Sequence, residues 1–229
     1  LLDGAALGDL LGRHGSFSPL YAIEVALEIA AGLQAAHERQ IIHRDIHPFN
    51  VFLCAQGRVK VLDFSLAKVI PSGLQTTRGS RAMGTEGYMA PEYLKGRVVT
   101  PQLDVYALGM LFWEMLVGRH PFRVAGVDML TLVKRCLEEE PPSLVGAAGL
   151  PGYCDEVIRG ATSRDPAQRF QSARELAEAL ALALGVTRDR GDAAVDTAPR
   201  VPPTARSAPA LPADSPSLLT DRPGAASMV

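Results

Sequence analysis

Lysine is absent from the first 59 residues, and no Gly-x-Gly-x-x-Gly run occurs there either. The opening quarter of the chain thus holds neither a glycine cradle for phosphates nor a lysine to meet them. Cysteine is scarce. Cys54, Cys136 and Cys154 are odd in number and far apart, which argues against a disulfide framework or a paired metal-ligand motif and fits free thiols in a reducing cytoplasm. Neither sign of charge dominates, and a net charge of −2 gives no global attraction to nucleic acid or a membrane surface. No signal peptide is legible, and no run reaches the roughly 20 apolar residues of a spanning helix. The best candidate, Val105 to Val117, is short and carries Glu114, so no membrane segment is expected. Val186 to Val229 holds no aromatic residue and is Pro-, Ala- and Ser-rich. Such a stretch cannot bury enough apolar surface to offset its chain entropy, so 186–229 is expected to be a disordered tail or linker.

What is present suits one large domain over residues 1–185, with 47% apolar residues to build its core. The chain opens without a strand signal, and Ala6 to Leu11 reads as a short helix stopped at His14-Gly15. Ser18 and Pro19 are an N-cap and a first-turn proline. From there Ile23, Leu27, Ala30 and Leu33 mark an amphipathic helix to about His37, with that histidine read as a core residue. Val51-Phe52-Leu53 and Arg58 to Leu62 flank a Gly-containing turn and read as a hairpin. Lys68 to Gly84 reads as a long loop. Asp104 to Val117 is apolar on most faces, as befits a central helix. Further helices are expected at Met129–Glu138, Cys154–Ala161 and Ser172–Leu184.

The chemistry is concentrated in His43-Arg44-Asp45-Ile46-His47-Pro48-Phe49-Asn50, with a second acid, Asp63, delivered by the hairpin and followed by Phe64. An acid, an amide and another acid on short loops can serve as one base and two magnesium ligands, the parts that phosphoryl transfer needs. The order H-R-D-x-x-x-x-N, then Asp63-Phe64, then Ala90-Pro91-Glu92 resembles the protein kinase family, and most of all its bacterial serine/threonine members. The resemblance covers about residues 1–184. It implies a mainly α fold, the C-terminal lobe of a kinase domain, in which a helical bundle carries a short β-hairpin with the catalytic and magnesium loops. It also implies ATP and Mg²⁺ as cofactors and a protein bearing Ser or Thr as substrate.

By the same resemblance, Asp45 orients the substrate hydroxyl and accepts its proton, and Thr85 bonds that acid. Asn50 and Asp63 ligate magnesium, and Phe52 lies under the adenine. His43 and Phe64 form an apolar stack, Asp104 anchors the loop backbone, and Glu92 pairs with Arg169. Arg44 would receive a phosphate on Thr76, Thr77 or Ser80.

Three departures qualify this. The upper lobe of a kinase, with its glycine loop and lysine, has no counterpart before Leu1, and the first residue is not methionine, so a fragment is expected. His47 replaces the usual lysine beside the transferred phosphate, and an imidazole restores little of that charge at pH 7. Ser65 replaces the glycine after Asp63-Phe64. The expected activity is serine/threonine protein kinase, weak in this chain alone. The alternative is a non-catalytic, pseudokinase-like interaction module. The expected partners of the chain are a protein substrate and its missing lobe or another kinase chain. Its expected place is the cytoplasm, alone or as the cytoplasmic part of a longer membrane-anchored kinase.

Overall fold

The computed structural model describes residues 3–64, 68–69, 85–96, 99–124, 126–145 and 150–189. Thr76, Thr77, Ser80 and Ser65 lie outside them, as does the tail after residue 189.

The chain begins with a strand where none was expected. β1 (Gly4–Ala6) pairs antiparallel with β3 (Val51–Cys54), which pairs in turn with β4 (Val59–Val61), giving the order β1-β3-β4. The expected hairpin is β3–β4, with Val51 opposite Val61 and Phe52 opposite Lys60. β1 lacks β-branched residues and exists through its partner. A Cβ on Gly4 would sit 2.1 Å from the Leu53 carbonyl oxygen, so the close strand approach requires glycine there.

α1 (Leu7–His14) follows directly, starting one residue later than the expected Ala6 and running on to the stop at His14-Gly15. α2 (Pro19–His37) starts at Ser18, whose hydroxyl accepts the Tyr21 amide at 3.3 Å. At 19 residues and a mean hydropathy of 1.2, α2 is long and apolar enough to cross a membrane, which the sequence reading did not credit to it. Its Ala22, Ile23, Ala26, Ile29, Ala30 and Leu33 are buried in the protein core.

β2 (Ile41–Ile42) pairs with β5 (Lys68–Val69), so a strand opens the segment expected to be loop from Lys68 onward. α3 (Pro91–Leu94) precedes α4 (Gln102–Val117), thirteen of whose sixteen residues are buried, Asp104 among them. α4 is the axis of the fold: α2 and α6 (Gly152–Thr162) pack on it, and α7 (Ala173–Asp189) packs on α2. It ends at Gly118, whose left-handed φ of 81° lets its amide close on the Glu114 carbonyl at 2.7 Å. α5 (Met129–Glu138) has the expected bounds, and its Asp128 cap accepts the Thr131 amide at 2.7 Å. α7 runs five residues past the expected Leu184. Thr187 is buried there and bonds the Tyr153 hydroxyl at 2.7 Å, so the packed fold reaches into the segment assigned to the tail.

Candidate active site

Three groups compete for the loop between β2 and β3, and their bonds set its shape. From below, the fully buried carboxylate of Asp104 accepts the amides of His43 at 2.9 Å and Arg44 at 2.8 Å. The same carboxylate meets His37 Nε2 at 2.7 Å. Two amides and an imidazole offset the cost of burying a charge, which would otherwise be several kcal/mol. The first amide pair also holds Arg44 at φ 68°, a left-handed conformation that a non-glycine residue resists by about 1–2 kcal/mol.

Within the loop, His43 Nδ1 accepts the Asp45 amide at 3.3 Å, so its Nε2 carries the proton and donates to the Leu62 carbonyl at 2.8 Å. Leu62 is clasped a second time, its amide donating to the Asn50 carbonyl at 2.8 Å. Asp63 is the next residue, again left-handed at φ 58° and exposed. The clasp therefore delivers Asp63 beside Asn50 at the end of β4. The Phe64 ring packs edge-on against His43, centroids 4.6 Å apart.

Above, Asn50 donates Nδ2 to the Asp45 carbonyl at 2.8 Å and to its carboxylate at 3.3 Å. With Nδ2 committed, the amide oxygen is the end of Asn50 left to meet a cation. An amide oxygen and a carboxylate are the hard donors that magnesium takes when phosphates supply the rest. The residues present thus fit a magnesium–nucleotide complex held by Asn50 and Asp63. Phe52 is half-buried on β3, opposite Ala6 of β1.

His47 Nδ1 accepts the Phe49 amide at 3.3 Å, which leaves Nε2 as the donor, 3.7 Å from the Asp45 carboxylate. That is ion-pair reach rather than a hydrogen bond. Arg44, Asp45 and Thr85 line one small hollow with Tyr88 and Tyr93.

The turn Thr85–Tyr88 is pinned from the far side. His120 Nδ1 accepts the Phe122 amide at 3.2 Å and its Nε2 bonds the Gly87 carbonyl at 3.1 Å. Burial pushes His120 down to about 4 and the neighbouring Cys136 thiol up to about 12. The Tyr88 hydroxyl donates to Glu114. Burial is the main cause that holds both groups above their ordinary values. The charge and hydrogen bond of Glu114 add to it in Tyr88, whereas the Tyr88 hydrogen bond, Arg123 and His47 oppose it in Glu114. Glu92 and Arg169 form a bidentate pair at 2.7 and 2.8 Å, away from the acid, with the guanidinium 4.9 Å over the Tyr106 ring.

The structure therefore links Asp45 to His47 and Asn50, lines one hollow with Arg44, Asp45 and Thr85, and sets Asp63 one residue after the Leu62 amide that bonds Asn50. Sequence reasoning missed His37, Tyr88 and Glu114. Their partners lie 67 and 26 residues away, and no local signal announces such pairs.

The protein kinase domain model matches residues 1–179. A serine/threonine-protein kinase of Corynebacterium efficiens is 36% identical over 179 residues, covering 78% of this chain and 34% of that protein. The serine/threonine-protein kinase PknB of Mycobacterium tuberculosis is 34% identical, covering 76% and 28%. PknA of the same species is 34% identical over 210 residues, covering 92% and 46%. The chain thus spans between about a quarter and a half of the length of these curated relatives.

Proposed function

The chain belongs to the protein kinase family, and from that premise we propose that it transfers the γ-phosphoryl group of ATP to Ser or Thr hydroxyls of proteins. Asp45 takes the substrate hydroxyl's proton, and Asn50 and Asp63 would hold magnesium. The observation that carries this reading is the pair of hydrogen bonds that Asn50 Nδ2 donates to the Asp45 carbonyl and carboxylate, which sets the base and one ligand at a fixed spacing.

Magnesium–ATP supplies the transferable group and neutralises its charge. The protein supplies position: Asp104 fixes the loop backbone, and the His43–Leu62 clasp sets Asp63 against Asn50. Thr85 lies beside Asp45, where the hydroxyl of an incoming chain would enter. His47 stands where a donor could reach a phosphoryl oxygen. Losing one such well-placed donor costs about 10²–10³ in rate in other enzymes, so His47 in place of lysine tunes the rate rather than abolishing it. Three buried free cysteines support a reducing, cytoplasmic setting.

The test is transfer of labelled phosphate from ATP to Ser/Thr peptides by the full-length protein. Asp45→Asn should cut turnover by about 10²–10⁴-fold with unchanged thermal stability. Wild-type turnover in that variant would sink the base assignment.

A further inference from the structure

Next to the hollow at Asp45 lies a larger groove, and the two share Thr85 and Tyr88 as a common wall. Phe49 projects into it with 61% of its surface exposed, one residue before Asn50. The ring rests on the backbone of α1: a Cβ on Gly8 would lie 2.7 Å from the Phe49 ring. Gly12, one turn on, has nothing within 4 Å of its Cβ position, so α1 presents a bare stretch beside the ring. Leu11 and Pro48 extend the apolar wall.

Charge decides what fits. Among the described residues lining the groove, Glu114 is the one carboxylate. It already accepts the Tyr88 hydroxyl, and Arg123 lines the same groove and acts on it with opposite charge. A second cation would meet Arg123 as well as Glu114. An uncharged apolar side chain meets Phe49, Leu11 and Pro48 with no charge to desolvate.

We propose that this groove selects the protein substrate by taking an aliphatic or aromatic side chain that flanks the phosphorylated hydroxyl, with Phe49 as the specificity-determining platform. The inference rests on the kinase reading above. The occupant follows from continuity, since a chain presenting a hydroxyl to Asp45 must pass the shared wall. His47 lines the groove with its Nε2 3.7 Å from the Asp45 carboxylate. At roughly 3.3 Å per extended residue, the selected side chain belongs to one of about three residues on either side of the acceptor.

The experiment uses the full-length protein, magnesium–ATP and Ser/Thr peptides in which each of those flanking positions carries Ala, Leu, Phe, Arg or Glu in turn. At one position Leu or Phe should raise kcat/KM about 10-fold over Ala, mainly through KM. Phe49→Ala should bring that ratio close to one, and Phe49→Glu should turn the preference towards Arg. Preference for Arg by the wild type, or a Leu-to-Ala ratio that survives Phe49→Ala, overturns the proposal. Failure of Asp45-dependent transfer to every peptide would instead defeat the kinase reading. The groove is then judged by photo-crosslinking with a peptide carrying benzoylphenylalanine. Labelling at residues 8–12 or 48–49 that Phe49→Glu removes upholds the groove, and its absence overturns it.

Discussion

Asp104 has no exposed surface yet carries a carboxylate, and each of its three partners is itself fixed: two loop amides and the ring of His37. Removing the acceptor would leave both amides and the imidazole buried without it, at about 1–3 kcal/mol per unsatisfied group. Asp104→Ala should therefore lower unfolding stability by about 3–5 kcal/mol in urea titration. A loss below about 1 kcal/mol would show that the loop holds itself. Residue by residue, the loop was readable because its motif is contiguous, His43 to Asn50. The role of His37 was not. A histidine at the end of an amphipathic helix looks like any core histidine until its partner, 67 positions later, is in place. Glu114 was hidden in the same way, as a lone acid in an apolar helix that counted only against a membrane span.

Elements were legible in proportion to their periodicity. α5 has the expected bounds because its apolar face and Asp128 cap are local signals. β1 was invisible because Gly4-Ala5-Ala6 has no strand propensity, and its hydrogen bonds come from β3, some fifty residues on. β5 escaped for a related reason: two residues make no pattern, and only Ile41-Ile42 supplies a partner. Helix contacts carry their own test. At Gly109 of α4, a Cβ would lie 2.6 Å from the Ala161 Cβ and 2.7 Å from the Thr162 Cγ2 in α6. Alanine gains about 1 kcal/mol of helix propensity over glycine, whereas overpacking a close contact costs about 1–3 kcal/mol. The clash should win, because both neighbours belong to a rigid helix. Gly109→Ala should lower the thermal midpoint by several degrees, and a rise would mean that α6 can yield.

For the molecule as a whole, pH acts through His120. Burial holds this imidazole at about 4, below the ordinary histidine value, so between about pH 6.5 and 4 the unfolded chain binds the extra proton. Stability is then fully present above about pH 6.5 and falls as pH drops through that window, by on the order of 3 kcal/mol at most. Glu114 works in the opposite direction, since its carboxyl is held above its ordinary value. The His120 contribution is thus isolated by comparison: His120→Gln should shrink the difference in thermal midpoint between pH 7 and pH 5 by half or more. An unchanged difference would assign the acid sensitivity to other groups. His120 holds the Thr85–Tyr88 turn through the Gly87 carbonyl, so its protonation loosens the wall shared by the hollow at Asp45 and the groove, while Glu114, bonded to Tyr88 of the same turn, opposes that loosening.

The Asp104 anchor also has a consequence in time. The loop amides of His43 and Arg44 wait for a carboxylate 61 and 60 residues further along. At roughly 5–20 residues per second, the ribosome delivers that anchor about 3–12 seconds after the loop itself. During that interval the amides of His43 and Arg44 lack the carboxylate that accepts them in the fold, and the loop takes its final shape only when the central helix is made.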